Sequence, residues 1–141
     1  MATVPKTIMI LGSGELGKEF AIAAKRLACK VIACDKYQNA PAMQVADAFE
    51  VLPMSNTESL QKIIRKIKPD VVVPEIEALA VDALEELENE GFNIIPTARA
   101  TAITMNRDRI RDLASNELNI RTAKFSYAVN QSELDLHAET I

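Results

Sequence analysis

Thr7-Ile-Met-Ile-Leu-Gly-Ser-Gly-Glu-Leu-Gly17 is the stretch whose reading decides the fold. Its first five residues are a short apolar run ending at a glycine, the pattern of a parallel strand buried on both faces. Gly12, Gly14 and Gly17 follow with G-x-G-x-x-G spacing. Apolar residues at Leu16, Phe20, Ala23, Ala24 and Leu27 then recur at helical intervals, so residues 15–27 read as a helix with that stripe buried. Residues 30–35 are a second apolar run ending in Asp35, 18 residues past Gly17. Strand, glycine turn, helix, strand and terminal acid together form the formal dinucleotide-binding fingerprint.

Outward from this unit the alternation continues. Residues 49–52 read as a third, short strand. Ser55 and Glu58 have capping-box spacing at the start of a helix whose buried stripe is Leu60, Ile63, Ile64 and Ile67. Lys62, Arg65, Lys66 and Lys68 lie off that stripe and read as a solvated basic face. Pro69 ends the helix. A fourth strand covers 70–73, a helix covers 80–90 with Gly91 as its left-handed cap, and a fifth strand covers 92–95 and closes at Pro96. Two short helices follow, near 98–104 and 108–117. The expected fold is α/β: a Rossmann-like open parallel sheet with helices on both faces and right-handed crossovers.

The tail reads differently. Residues 118–129 look extended, and a helix begins after Asn130 with Ser132 as its cap. Leu134 and Leu136 find no partner nearby in the sequence, which suggests a second unit begun and truncated. The expected division is therefore 1–117 as one domain and 118–141 as a linker with the start of another.

Composition bounds the function. The chain has 141 residues, 48% apolar and 26% charged, the balance of an ordinary soluble domain. A net charge of -4 argues against a general nucleic-acid binder, which needs a basic surface. No apolar run approaches the roughly 20 residues of a spanning helix, so no membrane role is expected. The first six residues lack the apolar core of a secretory signal. Cys29 and Cys34, with the distant His137, do not make a zinc site and read as reduced thiols of a cytoplasmic protein.

In an open parallel sheet, ligands sit beyond the carboxyl ends of the strands. The segments there are Gly12 to Gly17, Asp35 to Pro41, Glu75-Ile-Glu77 and Pro96 to Arg99, and they should converge on one edge. Glu15 would place a carboxylate where a pyrophosphate otherwise rests on helix N–H groups. It suits a ligand offering an amine or hydroxyls, or it is simply an acid favoured by the helix dipole. Glu75 and Glu77 share a face if the chain stays extended, and either could accept hydrogen bonds from ribose hydroxyls. Arg99, Arg107, Arg109 and Arg111 are phosphate candidates or a solvated face.

The ordered set Leu11-Gly-Ser-Gly-Glu-Leu-Gly-Lys-Glu19, Asp35, Asn39-Ala-Pro-Ala-Met-Gln-Val-Ala46, Val73-Pro-Glu-Ile-Glu-Ala78, Ile95-Pro-Thr-Ala-Arg-Ala100 and Thr104-Met-Asn-Arg107 resembles the formate-dependent phosphoribosylglycinamide formyltransferases. These are ATP-grasp enzymes of purine synthesis. The resemblance implies a pre-ATP-grasp domain followed by the start of an incomplete ATP-grasp domain. It implies that ATP activates formate as formyl phosphate, with Mg2+, and that the amine of glycinamide ribonucleotide attacks it. By the same carry-over Glu15, Leu16 and Glu75 bind that substrate and Arg107 reaches ATP. No residue matches a catalytic nucleophile, and the adenine, magnesium and substrate-phosphate ligands would lie beyond Ile141. A homodimer is also implied. The alternatives are a carboxyaminoimidazole ribonucleotide synthase, a free-standing dinucleotide module, and a shortened paralogue serving as an interaction subunit.

Overall fold

The computed structural model describes residues 6–141; the segment read for a secretory signal therefore lies almost wholly outside the described residues. The chain forms two compact units, Met1–Met105 and Asn106–Ile141.

The first unit is built on a four-stranded parallel sheet, ordered β3-β2-β1-β4. Its strands are β1 (Thr7–Leu11), β2 (Lys30–Asp35), β3 (Ala48–Val51) and β4 (Val71–Pro74). Alternation along β1 sends side chains to opposite faces of the sheet. Met9 and Leu11 join Ile32, Cys34 and Val72 under α2 (Thr57–Ile67) and α3 (Val81–Asn89), where Leu60, Ile64, Leu84 and Leu87 are fully buried. Ile10 and Val31 pack on the other face against Ala21 and Ala24 of α1 (Glu15–Arg26). The α/β expectation, with a parallel sheet covered on both faces, is thus met. Each fully buried Leu or Ile contributes roughly 1.5–3 kcal/mol by leaving water.

Several local expectations need correction. Of the predicted stripe α1 buries only Ala24. Leu16 and Leu27 are 70% and 73% exposed, and Ala23 and Phe20 are also exposed. The helix packs instead through Gly17, Ala21 and Ala24, because its small residues let it lie close to the sheet. α2 is capped by Asn56 and not by Ser55: the Asn56 carboxamide oxygen accepts the Ser59 N–H at 2.8 Å. The fifth strand shrinks to a single parallel bridge between Val72 and Ile94. Ile95 donates to the Val72 carbonyl, but the next residue is Pro96, which has no N–H to extend the ladder. The basic face of α2 is exposed as expected, though Arg65 is not free: it forms a two-pronged ion pair with Glu90 past the end of α3, at 2.5 and 3.0 Å.

α4 (Ala98–Met105) completes the first unit. The second unit contains α5 (Arg107–Asp112), which runs into a single π turn at Leu113–Glu117. An irregular stretch then leads to α6 (Gln131–Ala138), capped by Asn130 and not by Ser132. No residue of this unit is buried.

Candidate functional site

The strand order reverses direction between β1 and β4, which makes that edge the topological switch point. Gly12 follows β1 there with φ +124°, a conformation that side chains rarely adopt. A Cβ at Gly12 would stand 2.3 Å from Glu75 Oε2 and 3.0 Å from the Ile76 nitrogen. The Glu75 carboxylate therefore lies directly over the Gly12 backbone, and the positive φ, with the Ile76 backbone close by, restricts the position to glycine. Gly17 is needed for a different reason: a Cβ there would meet the Gly12 carbonyl at 2.6 Å, so α1 could not approach the strand end. Gly14 differs from both, since a Cβ there would meet no protein atom within 4 Å.

Gly14 is the N-cap of α1, and no side chain accepts from the first turn. Glu15 and Leu16 stand exposed beside it. Glu75 is half-buried, and burial, then the nearby Asp35 carboxylate, push its pKa above the usual range. Its backbone is fixed by donation to the Leu11 carbonyl at 2.9 Å. The fold thus brings Glu15, Leu16 and Glu75 to one sheet edge, as the ordering of strand-end loops predicted. Glu77 does not continue an extended face with Glu75, because the chain bends after Pro74 and leaves Glu77 exposed. Glu75, Ile76 and Glu77 instead line a recess of about 230 Å³ with Pro96, Thr101, Thr104 and Met105. Thr101 was not singled out in the sequence and Thr104 only as the start of the motif ending at Arg107, and no spacing marks either as part of a recess.

Asp35 does not serve as a free ribose acceptor in this fold. It is 3% exposed, and both oxygens accept backbone N–H groups, from Ser13 at 2.9 Å and Lys36 at 2.7 Å. Ser13 was also missed. It is fully buried, and its hydroxyl donates to the Cys34 carbonyl at 2.9 Å. The available signal was a small hydroxyl residue inside the glycine turn, since serine readily bonds neighbouring backbone.

The arginines fall in different places. Arg99 is exposed on α4 of the first unit, whereas Arg107, Arg109 and Arg111 are exposed on α5 of the second. A wide concavity of about 800 Å³ in the second unit, lined by Asn119 to Ser126 and the last two residues, includes none of the expected site residues. Cys34 is sealed in the core, where burial, then Glu50 and Asp35, push its thiol up to about 12, so it is no nucleophile near neutral pH. Among the described residues no group of three His, Cys, Asp or Glu could hold a metal ion, and no helix is long and apolar enough to cross a membrane.

This geometry can be set beside known proteins. The chain is 71% identical over all 141 residues to the formate-dependent phosphoribosylglycinamide formyltransferase of Prochlorococcus marinus (strain NATL2A), covering 36% of that protein. Among solved structures it resembles glycinamide-RNase-transformylase T from Mycobacterium tuberculosis, at 39% identity and a TM-score of 0.86 over 94% of this chain and 38% of that one. It also resembles N5-carboxyaminoimidazole synthase from Aspergillus clavatus in complex with ADP and 5-aminoimidazole ribonucleotide. There the identity is 26% and the TM-score 0.80, over 96% of this chain and 36% of that one. The chain thus spans about a third of the length of the relatives it matches. Residues 5–105 match the model of the ribonucleotide synthetase preATP-grasp domain, and the chain belongs to that family.

Proposed function

We propose that this chain is the ribonucleotide-binding portion of a formate-dependent phosphoribosylglycinamide formyltransferase. The observation that carries the reading is the convergence of Glu15, Leu16 and Glu75 at the β1/β4 switch point, in a chain 71% identical throughout to such an enzyme. In the whole protein, ATP phosphorylates formate and the glycinamide amine displaces phosphate from the resulting formyl phosphate. Glu15, exposed at the helix start, holds the amine end of the substrate. Leu16 packs against it, and Glu75 accepts from a ribose hydroxyl. Arg107 reaches ATP. No side chain here acts as a nucleophile, and none is required, because the substrate amine attacks directly.

ADP and a ribonucleotide bound to the Aspergillus clavatus relative support the pairing of a nucleoside phosphate with a ribonucleotide substrate. The described residues do not fit a magnesium ion, so no step is assigned to one and its ligands are placed outside this chain. A division into 1–117 and 118–141, a cytoplasmic location and a homodimer belong to the same proposal. The carboxyaminoimidazole synthase reading is weaker on identity, 26% against 39% for the transformylase. The dinucleotide reading is weakened by Asp35, whose oxygens are already engaged by backbone.

Glu15→Gln in the full-length enzyme tests the assignment. Loss of a charged contact should raise KM for glycinamide ribonucleotide by about tenfold or more and leave KM for ATP near its original value. NADH titrated into the chain should produce no fluorescence change. Tight NADH binding, or an unaltered substrate KM in the variant, would sink the reading. Residues 1–141 alone should show no formate-dependent ATP hydrolysis.

A further inference from the structure

Three hydrogen bonds tie the glycine turn to the end of β2. The Gly12 N–H donates to the Cys34 carbonyl at 3.0 Å, and the Ser13 hydroxyl donates to the same carbonyl at 2.9 Å. The Ser13 N–H donates to Asp35 Oδ2 at 2.9 Å. Asp35 is held in turn, because its Oδ1 accepts the Lys36 N–H at 2.7 Å and its carbonyl accepts from Leu52 at 2.9 Å. On the far side the Ser13 carbonyl accepts from Ala42 at 2.9 Å, which fastens the turn to the segment after β2 as well. The turn immediately precedes Glu15 and Leu16, and Gly12 forms the floor under Glu75. Glu15 and Leu16 thus follow a turn in which, among the described residues, Asp35 supplies the one side-chain anchor from outside, and Glu75, whose own N–H is held by Leu11, rests against Gly12 of that turn.

A carboxylate is the right group for this post. Both of its partners are donors, so both of its atoms must be acceptors. The amide of asparagine offers one acceptor and one NH2, and the NH2 would face a backbone N–H in a site with almost no access to water. The same carboxylate occupies the Ser13 N–H, which in a phosphate-binding turn would be available to the ligand. A buried anion behind the turn also disfavours a phosphate in front of it.

We propose that Asp35 is a positioning residue for the substrate nucleotide: it sets the Gly12–Gly14 turn so that Glu15, Leu16 and Glu75 meet the glycinamide and ribose, and it touches no ligand itself. The inference rests on the function proposed above. The experiment is steady-state kinetics of the full-length enzyme carrying Asp35→Asn, with each substrate varied in turn and the melting temperature recorded. Asp35→Asn should raise KM for glycinamide ribonucleotide about tenfold while KM for ATP and for formate moves less than about twofold, because one buried bond to a charged acceptor is lost at the turn alone. A general structural lesion would instead lower the active fraction, cutting kcat with every KM unchanged. If Asp35→Asn does not fold, Asp35→Glu is the second variant. It keeps a carboxylate for the Ser13 and Lys36 N–H groups but lengthens the arm by one methylene, so the anchor of the turn moves, and it should raise the same KM about threefold. A folded Asp35→Asn enzyme with unchanged substrate KM overturns the proposal, as does a kcat loss without a KM change, or an unchanged KM in Asp35→Glu when that variant has to decide. A full-length wild-type enzyme that makes no formylglycinamide ribonucleotide overturns the functional reading, and this inference with it. Wild-type turnover with an indifferent Asp35→Asn variant overturns the inference alone.

Discussion

Single residues in the glycine turn separate architecture from binding. Gly12 has both a left-handed φ and a carboxylate 2.3 Å from where a Cβ would be. Gly12→Ala should therefore cost stability, about 1–3 kcal/mol for the backbone conformation alone, and should displace Glu75. Gly14 has an ordinary φ of -70° and open space beside it. Gly14→Ala should change stability by less than about 1 kcal/mol, since the small N-cap loss and the gain from a stiffer unfolded chain oppose each other. If a substrate backs onto this turn, Gly14→Ala should still weaken its binding. Chemical denaturation of both variants, followed by substrate titration, checks the pair. A Gly14→Ala protein as unstable as Gly12→Ala would contradict the geometry. The three glycines were visible in the sequence, but their different duties were not, because spacing does not record what lies across the turn. Glu75 comes from a strand more than 60 residues away in sequence, and only the sheet order brings it over Gly12.

At the scale of elements, type was legible and faces were less so. The strands β1, β2 and β4 appear as read because each is a run of apolar residues ended by Gly12, Asp35 or Pro74. The stripe of α1 misled because size, not hydrophobicity alone, decides which side of a helix meets a sheet. Leu16, Phe20 and Leu27 would hold α1 off the strands, whereas Gly17, Ala21 and Ala24 let it settle. The start of α2 shows the same limit. Ser55, Asn56 and Thr57 are three adjacent cap formers, and the sequence pattern favoured Ser55 through its partner Glu58. The structure gives the post to Asn56, with extended dihedrals and a 2.8 Å bond to the Ser59 N–H. Asn56→Ala should then cost about 1 kcal/mol and Ser55→Ala close to nothing, as measured by urea unfolding. The reverse order would restore the capping box.

Over the whole chain, the burial pattern divides what folds cooperatively from what opens early. The first unit owns the entire buried core, from Met9 and Leu11 to Leu87 and Ile94. Residues 106–141 contain no buried residue, and Val129 is 88% exposed. They are held by short-range bonds such as Asn130 on Glu133 and Gln131 on Asp135, and by the Tyr127 hydroxyl 3.0 Å from Asp112 Oδ1. Segments with few buried apolar contacts open with small free energies and are cut first by proteases. In the sequence, only Leu134 and Leu136, without partners nearby, point to a separate unit here, and helical periodicity alone does not say which unit residues 108–117 belong to. Trypsin acting on this chain should therefore cleave first after Arg121 and Lys124, then at the arginines of α5, and leave a resistant product ending near Arg107. That product should keep a cooperative thermal transition, because every fully buried side chain remains in it. First cuts at Lys62 or Lys66, which are also exposed but stand on α2 over the core, would mean that surface access and not the distribution of the core governs opening.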